Sequence, residues 1–193
     1  MKGKWNWFQK LGFLLILLSV LLLLGSELLA ARNRAQTEDL VKQLEAILPE
    51  NGQGLPEDYS DPHMPVLQLE GEDFCGLLEI PSYGVSLPVG GEWEDGDVSV
   101  YPRRFWGSVY GRSMVIGGSG RKGQFDFCAK LDLGDLLRFT DMEGTRFSYE
   151  AVRIDRRKQV DAEELLQMQW DLTLFSYEET SGSYIVVAFT LAP

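Results

Sequence analysis

The apolar positions divide the chain into three regimes. Residues 11–31 are almost all apolar, with Glu27 the one charge, near the far end. About 20 such residues in a helix rise roughly 30 Å, the thickness of a bilayer's hydrocarbon core, so this stretch predicts a transmembrane helix. Between residues 36 and 48 the apolar residues Leu40, Val41, Leu44, Ile47 and Leu48 recur at the spacing of one helix face. That predicts a short amphipathic helix continuing outward. Residues 49–65 lose this period and are rich in Pro, Gly, Asp and Glu, which reads as an extended linker completing a 32–65 connecting region.

From residue 66 the pattern changes to short runs of β-branched and aromatic residues between glycines and turns, the mark of a mainly β domain over 66–193. The predicted strands are Phe74-Cys75-Gly76-Leu77-Leu78-Glu79-Ile80, Gly84-Val85-Ser86-Leu87-Pro88-Val89 and Ser113-Met114-Val115-Ile116-Gly117-Gly118, with a fourth beginning at Phe147. Two more, Leu172-Thr173-Leu174-Phe175-Ser176-Tyr177 and Ser183-Tyr184-Ile185-Val186-Val187-Ala188-Phe189, flank a short loop as neighbouring strands would. Residues 91–111 form a long loop with Tyr101-Pro102 and Phe105-Trp106 as packing aromatics beneath it. Residues 160–169 read as a helix, with Asp161 as its N-cap and Glu164 three positions on, like a capping box.

Charge and composition narrow the partners. Of 193 residues, 29 are acidic and 18 basic, a net charge of -11 that repels phosphate backbones, so nucleic acid is excluded as a partner. Residues 1–10 hold Lys2, Lys4 and Lys10 with Trp5, Trp7 and Phe8, a flank suited to a membrane interface. Leu28 and Leu29 fit a signal-cleavage site poorly, so residues 11–31 are expected to stay as a signal anchor, with the amino terminus cytoplasmic and the domain exported. Cys75, Cys128 and the one histidine, His63, are too few for a zinc site, and His63 lies in the linker. A Cys75–Cys128 disulfide is possible in an extracytoplasmic domain. The acidic trio Asp161, Glu163 and Glu164 is better explained by the helix dipole than by calcium, and no metal or cofactor is expected.

The last two strands resemble the end of a sortase, the cell-surface transpeptidase family of Gram-positive bacteria, of class B or D type. The resemblance extends over residues 74–189. Gly76-Leu77-Leu78-Glu79-Ile80-Pro81 followed by Leu87-Pro88-Val89 is similar to the family's opening strands. The run Phe125, Leu131, Leu133, Gly134, Asp135, Leu137 and the segment from Phe147 through Tyr149 to Val152 are similar to its middle. The resemblance implies a closed barrel of about eight strands with short helices. It also implies three catalytic places: a cysteine ending the Leu-Thr-Leu-x-Thr-Cys strand, a histidine after Ala-Gly, and an arginine opening the next strand. Here they hold Tyr177, Ser119, and Ser183 or Tyr184.

The implied chemistry needs a thiolate nucleophile, an imidazole and a guanidinium. A phenol with a pKa of about 10 and a serine hydroxyl supply none of these. The expected protein is therefore a pseudoenzyme with a groove at Gly118, Ser119, Ser176, Tyr177, Ser183 and Tyr184. Its expected partners are an extended sorting-signal-like peptide, a pilin or a sortase, with the membrane held through residues 11–31. The alternative is an active transpeptidase or hydrolase with a displaced nucleophile. Cys128, within Phe125-Asp126-Phe127-Cys128, reads instead as a buried thiol, and Ser119 beside Arg121 and Lys122 as part of a solvated glycine-rich turn.

Overall fold

In the computed structural model, residues 7–49, 64–93, 98 and 100–192 are described. Lys2, Lys4, Trp5 and the linker residue His63 lie outside them. The chain divides into two compact units, one ending at Gln36 and one running over Thr37–Pro193.

A single helix, α1 (Trp7–Ile47), runs unbroken for 41 residues, about 60 Å at the α-helical rise. No proline interrupts it, and Arg32, Asn33, Arg34, Ala35 and Gln36 carry the turn from the apolar stretch into the amphipathic one. In the first unit its large apolar side chains, such as Leu14, Ile16 and Leu22, are exposed. Among the described residues this one helix is long and apolar enough to cross a membrane, with a mean hydropathy of 2.5 in its most apolar window.

Within the second unit, the apolar stripe of the helix end has a covering. Leu40, Val41 and Leu44 are buried against Phe74, Leu77 and Tyr101. The Thr37 hydroxyl donates to the Val100 carbonyl at 3.5 Å.

Among the described residues nine strands follow: β1 (Leu67–Leu69), β2 (Glu72–Ile80), β3 (Val85–Gly90), β4 (Arg103–Trp106), β5 (Met114–Ser119), β6 (Leu136–Asp141), β7 (Arg146–Arg157), β8 (Leu172–Glu178) and β9 (Ser183–Leu191). They pair in the order β1-β2-β3-β4-β5-β8-β9-β7-β6, and a further β2–β6 pairing closes β2 through β9 into an eight-stranded barrel. β1 is an added hairpin arm on β2. Two contacts are parallel: β3 meets β4 at the one pair Gly90↔Arg103, while β5 and β8 run together from Met114↔Leu172 to Ser119↔Tyr177.

The weak β3–β4 seam is closed by side chains. Arg104 Nε donates to the Gly91 carbonyl at 2.7 Å, and Arg103 reaches the Glu92 carbonyl while pairing with Glu72 at 2.7 Å. Here the expected loop over 91–111 is corrected. It contains β4, hidden in sequence because Arg103 and Arg104 look like solvent-facing charges, yet Arg103 is 5% exposed. Tyr101 is buried as expected, whereas Trp106 is 55% exposed.

Strand alternation fills the barrel. Met114 and Ile116 of β5, Leu172 and Leu174 of β8, and Ile185, Val187 and Phe189 of β9 point inward. A bulge in β2 between Phe74 and Gly76 switches its parity, so Phe74 faces α1 while Cys75, Leu78 and Ile80 enter the core. The predicted second helix is shorter, α2 (Ala162–Leu166). Asp161 caps it by accepting from the Glu163 amide at 3.0 Å, but Glu164 turns to Arg157 instead of completing a capping box.

Candidate functional site

Register assembles the site. The β5–β8 ladder sets Ser119 opposite Tyr177, and the β8–β9 ladder sets Tyr177 opposite Tyr184. The three residues form one row across three strands, on the face opposite to Leu172 and Leu174, hence outside the barrel. Ser183 falls in the next row, against Glu178. Of the two residues at the expected arginine place, Tyr184 is therefore the one beside Tyr177. Tyr177 is 44% exposed, and its ring centroid lies 5.1 Å from that of Tyr184 with the planes at 57°.

Two of the expected groove residues belong elsewhere. Gly118 and Ser176 pair with each other and face inward, both buried. A Cβ on Gly118 would stand 2.5 Å from the Phe125 ring, so the close approach of that ring requires glycine there. Ser176 borders, from the inner side, a separate cleft of about 380 Å³ at this end of the barrel, with Phe125, Arg121 and Glu179.

The turn after Ser119 is structural in its bonding. The Ser119 amide donates to Gln124 Oε1, and its hydroxyl accepts from the Arg121 amide at 3.3 Å. The Arg121 guanidinium is directed to Glu179 at 3.0 Å, away from the serine. The Ser183 hydroxyl lies 2.6 Å from that of Ser181.

One row below the tyrosines, the outer face is apolar. Gly117 lies opposite Phe175, and Phe175 opposite Val186. Trp93, Phe105 and Phe175 meet with centroids 5.4 to 5.6 Å apart, two of the three contacts edge to face. Val115, Val186 and Leu165 of α2 are buried with them, and Val160 and Met168 pack around the edge. Sequence reasoning named Phe105 as a packing aromatic but missed its partners, because Trp93 lies outside any strand and only tertiary packing brings it and Phe105 of β4 to Phe175.

The two cysteines are separate, buried, free thiols, which corrects the possible disulfide. Cys75 enters on the β2 bulge, where its thiol donates to the Gly90 carbonyl at 3.5 Å, and burial pushes that thiol up to about 12. Cys128 sits in a 3-10 turn, Phe125–Ala129, and burial, with Asp126 adding to it, pushes its thiol far above the usual range. Neither sulfur reaches solvent as a thiolate at neutral pH. Among the described residues no three His, Cys, Asp or Glu side chains cluster as metal ligands would.

A closed eight-stranded barrel whose parallel β5–β8 pair carries the row of Ser119 and Tyr177 defines the class of structure: the fold is sortase-like. The chain is similar to sortase A from Corynebacterium diphtheriae, with a TM-score of 0.55 at 16% identity, over 63% of this chain and 62% of that one. It is similar to sortase C1 from Streptococcus agalactiae, at a TM-score of 0.55 and 18% identity over 65% and 71% of the two chains. Listeria monocytogenes sortase A gives a TM-score of 0.52 at 13% identity, covering 62% of this chain and 88% of the other. No protein-family model and no curated protein sequence matches the chain.

Proposed function

We propose that the protein is a membrane-anchored, extracytoplasmic sortase-like pseudoenzyme that binds an extended peptide segment of a surface protein, a pilin or a sortase without transpeptidation. Helix α1 holds it in the cell membrane, with the amino terminus cytoplasmic and the barrel outside. One observation carries the reading: the row Ser119–Tyr177–Tyr184 offers hydroxyls where the resemblance calls for imidazole, thiol and guanidinium. Beside it, the half-buried Trp93 and Phe105, backed by the buried Phe175, and the exposed Tyr177 ring supply apolar and aromatic surface suited to holding a peptide's side chains. A displaced nucleophile is disfavoured by the burial of Cys128.

The test is binding to the full chain in lipid nanodiscs, read by fluorescence anisotropy of a labelled Leu-Pro-x-Thr-Gly-type peptide. Saturable binding weakened at least about fivefold by Tyr177→Asp supports the reading, since an aromatic contact is replaced by a charge. Absence of saturable binding to peptide, pilin and sortase alike removes the binding role and leaves an architectural one.

A further inference from the structure

We infer that the barrel end away from the tyrosine row carries a second binding site, a cleft for a small uncharged molecule with an apolar body and one hydrogen-bond acceptor. The cleft encloses about 500 Å³, within the range of small-ligand sites. Its residues come from the loop before β5, the start of β7, the residue preceding β8 and the end of β9, whereas Ser119, Tyr177 and Ser183 occupy the opposite ends of β5, β8 and β9.

Its walls are Val109, Phe147 and Leu191, and two tyrosines line it. Tyr110 is committed, donating to the buried Asp141 carboxylate at 2.7 Å. Tyr149 is not: it is 1% exposed and its hydroxyl has no hydrogen-bond partner in the structure. Buried hydroxyls are rarely left so, and an orphan on a residue that lines a cleft calls for a group that completes it. Burial, reinforced by Asp171, keeps the hydroxyl protonated and therefore a donor.

The charges at the mouth exclude ions as the occupant. Asp171 already accepts from the Leu191 amide at 2.7 Å, the Thr190 hydroxyl at 3.0 Å, and Arg112 at 3.0 and 3.4 Å. Three of those bonds are on Oδ2 and one on Oδ1, and the ion pair with Arg112 leaves little net negative charge there for a cation. Two of the five Arg112 N–H donors are on the same carboxylate, so an anion that takes the others meets the Asp171 charge as well. Where Arg112 and Asp171 neutralise each other at the mouth, the cleft presents apolar wall and the Tyr149 phenol, and the complement is a neutral ketone, ester or amide on an apolar ring or chain.

The test is ¹⁹F NMR on the full chain in lipid nanodiscs, with empty nanodiscs as the partition background. The probes are 4-fluoroacetophenone, 4-fluorocumene, which lacks the acceptor, and the charged 4-fluorobenzoate and 4-fluorobenzylammonium. Saturable binding of the ketone is expected, with a preference over the cumene that falls about fivefold in Tyr149→Phe. Leu191→Trp, which fills the cleft from its half-exposed rim, should abolish binding. Tyr149→Phe should melt no lower than the natural chain, since it removes an unpaired hydroxyl. No saturable signal above empty nanodiscs would mean an ordered water at most and would overturn the inference. So would an unchanged preference in Tyr149→Phe, tighter binding of a charged probe, or a drop in melting temperature showing that the hydroxyl has a partner within the chain.

Discussion

Replacing Gly117 by alanine tests whether the outer face below the tyrosine row is as closely packed as its geometry requires. A Cβ built on Gly117 stands 2.3 Å from Trp93 Cζ3 and 2.5 Å from Phe175 Cζ, against an ordinary contact of about 3.4 Å or more. Both ring edges must retreat by about 1 Å. Phe175 is 9% exposed and wedged between Trp93 and Phe105, so it has little room to give, while the half-buried Trp93 can swing outward. Overpacking of this kind costs about 1–3 kcal/mol. For a chain of this size that is a fall in melting temperature of roughly 2–12 °C. The assay is thermal unfolding of the full chain in detergent by far-UV circular dichroism, with the near-UV band reporting on the aromatic cluster.

Two controls sharpen this prediction. At Gly111 the nearest atom to an added Cβ is at 3.4 Å, so Gly111→Ala should change stability by less than about 0.5 kcal/mol. In a double-mutant cycle, Phe175→Leu should recover part of the Gly117→Ala loss, because the two substitutions share one contact. If Gly117→Ala melts with the natural chain, or couples to Phe175→Leu no more than Gly111→Ala does, the cluster does not cover this face as described.

Three further outcomes follow from the same geometry. Leu44→Ala should cost the Thr37–Pro193 unit about 2–5 kcal/mol in urea unfolding, because Leu44 is 0% exposed against β2, whereas Leu22→Ala, at a site 67% exposed, should leave that transition unmoved. A thiol reagent at pH 8 should label neither Cys75 nor Cys128 in the native protein and both in guanidinium, and rapid native labelling of Cys128 would contradict its burial. For Asp171, burial alone would raise the carboxyl, but the Leu191 amide, the Thr190 hydroxyl and Arg112 together hold it below its ordinary 3.8. A carboxyl depressed in the folded state adds stability above 3.8 that is lost as pH falls below that value, so Asp171→Asn should be less stable at pH 7 and lose less between pH 5 and pH 2.

Much of the barrel was legible in the sequence because each long strand carries its own period. Six strands, the N-terminal helix and the cap at Asp161 follow from local pattern and residue type. β4 was not legible, since Arg103 and Arg104 read as surface charges and only the tertiary pairing of Arg103 with Glu72 and Tyr101 makes burial tolerable. The three places of the candidate site could be found by resemblance, but which neighbour faces Tyr177 is a question of ladder register across β8 and β9. Sequence leaves that to within one residue, and one residue changes the face. For the same reason Gly118 and Ser176, adjacent in sequence to groove positions, prove to be inner wall. The bulge at Cys75 and the contacts around Cys128 are likewise tertiary facts, and they decide between a disulfide, a nucleophile and a buried thiol.

In the proposed pseudoenzyme the barrel keeps a sortase-like frame while the row Ser119–Tyr177–Tyr184 lacks the groups for transpeptidation. The most direct measurement is turnover of a fluorogenic Leu-Pro-x-Thr-Gly-type peptide with an oligoglycine acceptor, by the full chain and by Ser119→His/Tyr177→Cys/Tyr184→Arg. No turnover above background is expected for the natural chain and measurable turnover for the triple variant, with less when Ser183→Arg replaces Tyr184→Arg, because Ser183 lies one row away. Turnover by the natural chain, abolished by Cys128→Ala or Ser119→Ala, would contradict the proposal.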